Sequence, residues 1–110
     1  MTVLAYLRFV LAEDADVDRF EGDLAAIREL AVAQPGHRWS EVGRDPWDLR
    51  TFVVVSEWDE VEQVRAFEHH PEHEVIIHRW ETSYSEEFVH RRFVPWIRPE
   101  AEAEVEKATA

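Results

Sequence analysis

The residues best equipped for chemistry crowd into one stretch, SEWDEVEQVRAFEHHPEHEVIIHRWE. It spans residues 56–81 and holds four of the six histidines and two of the five tryptophans. Histidine changes charge near neutral pH, so such a cluster can supply a general base. Imidazoles four residues apart on one helix, the spacing of His69 and His73, can also share a metal. Pro71 falls between them. Its ring cannot continue a helix yet fits the first turn of a new one, so His69 and His70 end one helix while His73 and His78 belong to the next. Those two sets need not share a face, and the chain has neither an HExxH run nor a cysteine, so no bound metal is expected. The histidines are then either helix-end groups or pocket groups. A second cluster is His90, Arg91 and Arg92, where strand alternation sends Arg91 to one face and His90 and Arg92 to the other. These arginines either pair with the abundant carboxylates or steady an enolate or phenolate. Trp58 and Trp80 are large apolar bodies with one donor each, suited to a core or to a pocket wall.

Composition narrows the chemistry. The chain has 110 residues, 45% of them hydrophobic, the size and apolar content of one globular domain. Its net charge is −12, with 24 acidic residues against 12 Lys and Arg, so nucleic acid and anionic membrane surfaces are not expected as partners. Lys107 is the only lysine, which leaves no Schiff-base or P-loop lysine in the body of the domain. The absence of cysteine excludes thiolate chemistry and suits a reducing compartment. The opening MTVLAYLRFVL lacks the basic start and cleavage site of an export signal, and no window reaches the ~18 apolar residues of a membrane span. A soluble, cytoplasmic protein is expected.

The elements that must position these residues follow from periodicity. Residues 2–11 alternate as a strand, with Val3, Ala5, Leu7, Phe9 and Leu11 on one face and Leu4, Tyr6, Arg8 and Val10 on the other. Val17, Phe20, Leu24, Ile27 and Ala31 recur at helical spacing, Asp16 can cap that helix, and Gln34-Pro35-Gly36 stops it. A strand over residues 38–44, the turn-like RDPWD and the Val-rich residues 51–58 suggest a hairpin. Asp59 with Glu62 three residues on forms a capping box for a helix that buries Val61, Val64 and Phe67. A second helix follows from residue 72 to about residue 80, and residues 86–97 are β-rich. The order βαββαβ is that of a ferredoxin-like α+β sandwich over residues 1–97, followed by an acidic Ala/Glu tail, residues 98–110, with no assigned function. Strands apolar on both faces need more cover than two helices provide, and a second copy packed sheet to sheet would supply it.

The run VVVSEWDEVEQVRAFEHHPEHEVIIH, residues 53–78, resembles the antibiotic biosynthesis monooxygenase family. Members typically have a strand ending in Trp, a capped helix with an aromatic near its end, a Ser/His-Pro-x-His step and a second short helix. Trp58, Phe67, His70, Pro71 and His73 stand at those places. The resemblance implies a homodimeric α+β barrel with a pocket between helices and sheet in each monomer. It also implies cofactor-independent oxygenation of a hydrophobic aromatic or polyketide-type substrate, such as an anthrone going to a quinone. A branch of the family degrades haem and places a Trp where Phe67 stands and a His close to Ile77; His78 lies one position off, and no cofactor is expected here. Family pockets commonly use an Asn, and this chain has none. Another polar set must then serve: Tyr6, His73, His78 and Arg92 as catalytic groups, with Trp58, Phe67, His70 and Trp80 binding substrate. The same apparatus would suit a polyketide cyclase or isomerase, or a non-catalytic dimeric small-molecule-binding module.

Overall fold

A computed structural model describes residues 1–96. The residues expected to form the acidic tail, together with residue 97, lie outside the described part. Four strands, β1 (Val3–Leu11), β2 (His37–Arg44), β3 (Thr51–Trp58) and β4 (Ser85–Phe93), form one antiparallel sheet in the order β2-β3-β1-β4. Helices α1 (Val17–Val32), α2 (Val61–Glu68) and α3 (Pro71–Arg79) complete a ferredoxin-like α+β sandwich. Among the described residues no helix is long and apolar enough to cross a membrane.

Register decides which side chains meet. Leu7 sits between Val54 of β3 and His90 of β4, and Phe9 between Phe52 and Phe88. Odd-numbered β1 residues therefore share the helix-covered face with even-numbered residues of β3 and β4. Phe9 packs 5.4 Å from Phe20 of α1 and 5.2 Å from Trp80, and all three rings are 0–1% exposed. Burying each such ring stabilises the fold by roughly 2–3 kcal/mol. Asp23, buried in α1, accepts from Arg79 Nη2 at 2.6 Å and Nε at 3.1 Å, which fixes α3 against α1.

Asp16 caps α1 as its sequence suggests, its Oδ1 accepting from the Arg19 N–H at 3.1 Å. The chain then turns at Gly36, whose φ of +85° favours a residue without a Cβ; the end of the Gln63 side chain lies where that Cβ would be. Helix α2 starts one residue later than expected. Glu60, not Asp59, is its N-cap, and the Glu60 N–H donates to Gln63 Oε1 at 3.0 Å. Asp59 instead donates its N–H to the Gly36 carbonyl at 2.9 Å and so belongs to the strand's exit. A feature with no sequence signal is the π-helical turn Trp80–Tyr84, which carries both Trp80 and Tyr84 into the core. The final strand ends at Phe93, two residues before Pro95, which has no N–H to donate.

Among the described residues no helix covers the second sheet face. Leu4, Tyr6, Val53, Val55 and Val89 are half-buried there, and Trp39 and Phe93 are 42% and 51% exposed.

Candidate functional site

Between the helices and the sheet lies a cavity of about 240 Å³ with mostly apolar walls. Leu24 and Ile27 of α1, Phe67 of α2, Ile77 of α3, Trp80 and Phe88 of β4 form much of its surface. This volume lies just below the ~300–1,000 Å³ usual for drug-sized ligands, so it suits a compact ligand. Few polar side chains reach it, which makes each one informative.

His73 is brought there by the step between α2 and α3. Pro71 opens α3, and His70 caps it by accepting the Glu72 N–H on Nδ1 at 3.2 Å. One turn of helix then points His73 inward, its ring edge-on to Phe67 with centroids 4.5 Å apart. Phe67 is itself held from behind by Trp58, stacked at 5.0 Å. His73 Nδ1 is buried and has no hydrogen-bond partner among the described residues. Burial pushes this imidazole down to about 4, against the opposing pull of the Glu68 carboxylate. At neutral pH His73 is therefore a neutral imidazole on the wall of an apolar cavity, in hydrogen-bond reach of the Glu68 backbone.

Glu68, at the end of α2, forms the polar floor beside it. Its Oε1 accepts from Arg92 Nε at 2.9 Å, its Oε2 accepts from Arg92 Nη2, and His90 Nε2 lies 3.5 Å from Oε1. Burial would raise this carboxyl, but the hydrogen bonds from His90 and Arg92 outweigh it and hold the group at about 2. It is therefore an anion at all ordinary pH values, and its charge is largely spent on Arg92.

The eight residues singled out from sequence separate in space. His73, Phe67 and Trp80 line the cavity. Trp80 is fully buried and its Nε1 has no hydrogen-bond partner among the described residues. Trp58 is equally buried, but its Nε1 donates to Ser56 Oγ at 2.9 Å, and it supports the Phe67 wall rather than forming it. His70 is engaged at the α3 cap, and His78 is exposed on α3. Tyr6 borders the cavity along β1, but strand alternation turns its ring to the opposite face, where it meets Phe93 edge-on at 6.0 Å. Arg92 is held in the Glu68 pair. Three cavity groups carry no site role from sequence: Glu68 and Arg28, which it does not single out, and His90, which it places only in a strand cluster. His90 and Arg92 carried a signal, being two apart on one strand face, but their acidic partner lies more than twenty residues upstream. Among the described residues no three His, Asp or Glu side chains are grouped closely enough to hold a metal ion.

The chain's relatives agree with this architecture. The sequence profile of the family described as antibiotic biosynthesis monooxygenase matches residues 1–79. No curated protein matches significantly in sequence. Among solved structures, SnoaB from Streptomyces nogalater, a cofactor-independent oxygenase, superposes with a TM-score of 0.74 at 17% identity, over 89% of this chain and 96% of that one. A dimeric ferredoxin-like protein from Thermobifida fusca gives 0.70 at 21% identity over 86% and 92%. A conserved protein from Methanosarcina mazei gives 0.78 at 9% identity over 87% and 94%. At these identities the likeness is one of fold.

Proposed function

Because the chain belongs to the antibiotic biosynthesis monooxygenase family, we propose that it is a monooxygenase acting without a cofactor on a hydrophobic aromatic or polyketide-type small molecule. The observation that carries this reading is a neutral, buried imidazole on the wall of an apolar cavity, its Nδ1 without a partner among the described residues. Cofactor-free oxygenation needs the substrate as a delocalised anion, because a carbanion or phenolate can pass an electron to dioxygen where the neutral molecule cannot. In an anthrone the ring CH₂ flanked by two aryl groups gives up a proton to His73. The anion pairs with the imidazolium, which raises the imidazole pKa within the complex and makes the transfer easier. One electron then moves to dioxygen, and the two radicals combine to form the C–O bond of a peroxide. Loss of the second ring proton breaks the O–O bond: one oxygen stays as the new carbonyl, and the other leaves as water carrying the two hydrogens of the CH₂. The apolar walls exclude water from the anion during these steps.

The test is incubation with an anthrone in air and under nitrogen, following oxygen uptake and product mass. Uptake of one dioxygen with a net gain of one oxygen and loss of two hydrogens is the expected result. Conversion that persists under nitrogen would assign a cyclase or isomerase, which needs the base alone. Binding with no conversion over a broad aromatic panel would leave a binding module.

The same reading includes a homodimer, supported by the apolar sheet face with Tyr6, Val53, Val55, Val89 and Phe93, which no described helix covers. Light scattering should show a particle of twice the 13.0 kDa chain mass. Replacing Val55 by Asp should dissociate it, since a specific interface buries above ~1,000 Å² and a charge at its centre is left unpaired. A wild-type monomer at micromolar concentration would remove the sheet-to-sheet assembly.

A further inference from the structure

We infer that the cavity takes a ligand carrying an anionic oxygen, and that Arg28 at the cavity rim is the residue that selects it. This inference rests on the cavity being the substrate site. It adds a charge requirement that the apolar walls and His73 do not impose.

Arg28 lies on α1, borders the cavity and is exposed. The edge strand β2 supplies the facing rim through Ser40 and Val42, and Val42 is 47% exposed, so the cavity opens between α1 and β2. Most other described arginines hold an acceptor: Arg8 pairs with Glu87, Arg38 with Glu57 and Asp59, Arg50 with Glu86, Arg79 with Asp23 and Arg92 with Glu68. Arg28 shows no hydrogen bond or ion pair to any described residue. Among the described residues Arg19 also shows no side-chain partner and Arg44 and Arg91 hold only carbonyls, so what distinguishes Arg28 is an unpaired guanidinium placed at the cavity rim.

Local sequence leaves it unpaired there. The helical neighbours of Arg28, three and four residues away, are Leu24, Ala25, Ala31 and Val32, none of which can pair with it. Glu41 borders the rim, but its register opposite Val55 turns its side chain to the other sheet face. Glu68 is bound by Arg92. The positive field of Arg28 is felt across the rim: after burial, it is the second cause that lowers the His37 imidazole on β2. A guanidinium with its donors free beside an apolar cavity is the arrangement that receives a carboxylate or phenolate while the aromatic body goes inward.

The probe is a matched pair, anthraquinone-2-carboxylate and anthraquinone-2-carboxamide, with binding followed by tryptophan fluorescence quenching and by calorimetry. The wild-type protein should bind the carboxylate roughly tenfold more tightly than the amide, the scale of one charge-assisted hydrogen bond. Added salt should narrow that gap. Arg28→Gln should abolish the preference and leave amide affinity within about twofold, while Arg28→Lys should restore part of it. Equal binding of acid and amide by wild type, or equal weakening of both by Arg28→Gln, would overturn the inference. Failure of both probes to bind would overturn it together with the cavity assignment. Binding is read without turnover, so the two readings can fail separately. A retained acid preference with no oxygen uptake leaves Arg28 its role and removes the monooxygenase; oxygen uptake with no acid preference does the reverse.

Discussion

Replacing His73 by Gln should lower kcat/KM by roughly 10²-fold or more, the usual contribution of a positioned general base. The same change at exposed His78 should leave it near the wild-type value. The pH profile separates a base from a packing residue. His73 is held at about 4 by burial, so the free wild-type enzyme should show kcat/KM flat through neutrality and falling only as pH approaches 4. A limb near 6.5, the ordinary histidine value, would move the chemistry to a solvated imidazole and remove His73 from the mechanism. Stability carries the same signature. The unfolded chain protonates this histidine below about 6.5 and the folded chain only below about 4, so the unfolded state binds more protons between those values. The contribution is complete above pH 6.5 and is lost as pH falls toward 4. It amounts to about 3 kcal/mol at most, at roughly 1.4 kcal/mol per unit. His73→Gln should flatten the urea midpoint across that window. A folded His73→Gln variant with unchanged rate and unchanged limb would leave His73 as a residue of the cavity wall.

Much of the fold was legible because its signals are local. Alternation over residues 2–11 and the Val-rich run within residues 51–58 mark strands, and Pro71 divides the histidine run into two helices, which is why His70 caps and His73 turns inward. The α2 cap was misplaced by one residue because Asp59 and Glu60 both have the polar character of a cap, and only the bond from Asp59 to Gly36 decides between them. Tyr6 shows a different limit. Its parity with Leu4 and Arg8 was plain, but both faces of β1 are apolar, so sequence could not say which one the helices cover. Glu68 and Arg28 were invisible for a third reason. One is defined by a pair formed across the fold, the other by the absence of a pair, and neither leaves a pattern along the chain.

The Glu68 triad should be a sensitive polar point of the fold. Removing one member of a buried ion pair typically costs ~3–5 kcal/mol, because the partner stays desolvated without compensation. Here the Glu68 side chain is only 10% exposed, but Arg92 and His90 are 35% and 42% exposed and can recover some hydration. Glu68→Gln should therefore destabilise by about 2 kcal/mol, a fall in Tm of ~8–16 °C for a domain this size. Acid unfolding should change with it. The carboxyl is held at about 2 in the folded chain and has its ordinary value, 4.5, in the unfolded one. The wild-type contribution is thus present above pH 4.5 and is lost as pH falls toward 2, and Glu68→Gln should lack that limb. Because Arg92 makes the bidentate contact, Arg92→Leu combined with Glu68→Gln should be less damaging than the sum of the single changes. The triad also reaches the site. The Glu68 charge opposes the lowering of His73, so neutralising it should shift the acid limb of kcat/KM still further down. An unchanged Tm in Glu68→Gln would show that the pair adds nothing net. An unchanged kinetic limb beside a lowered Tm would show that it holds β4 against α2 without tuning the base.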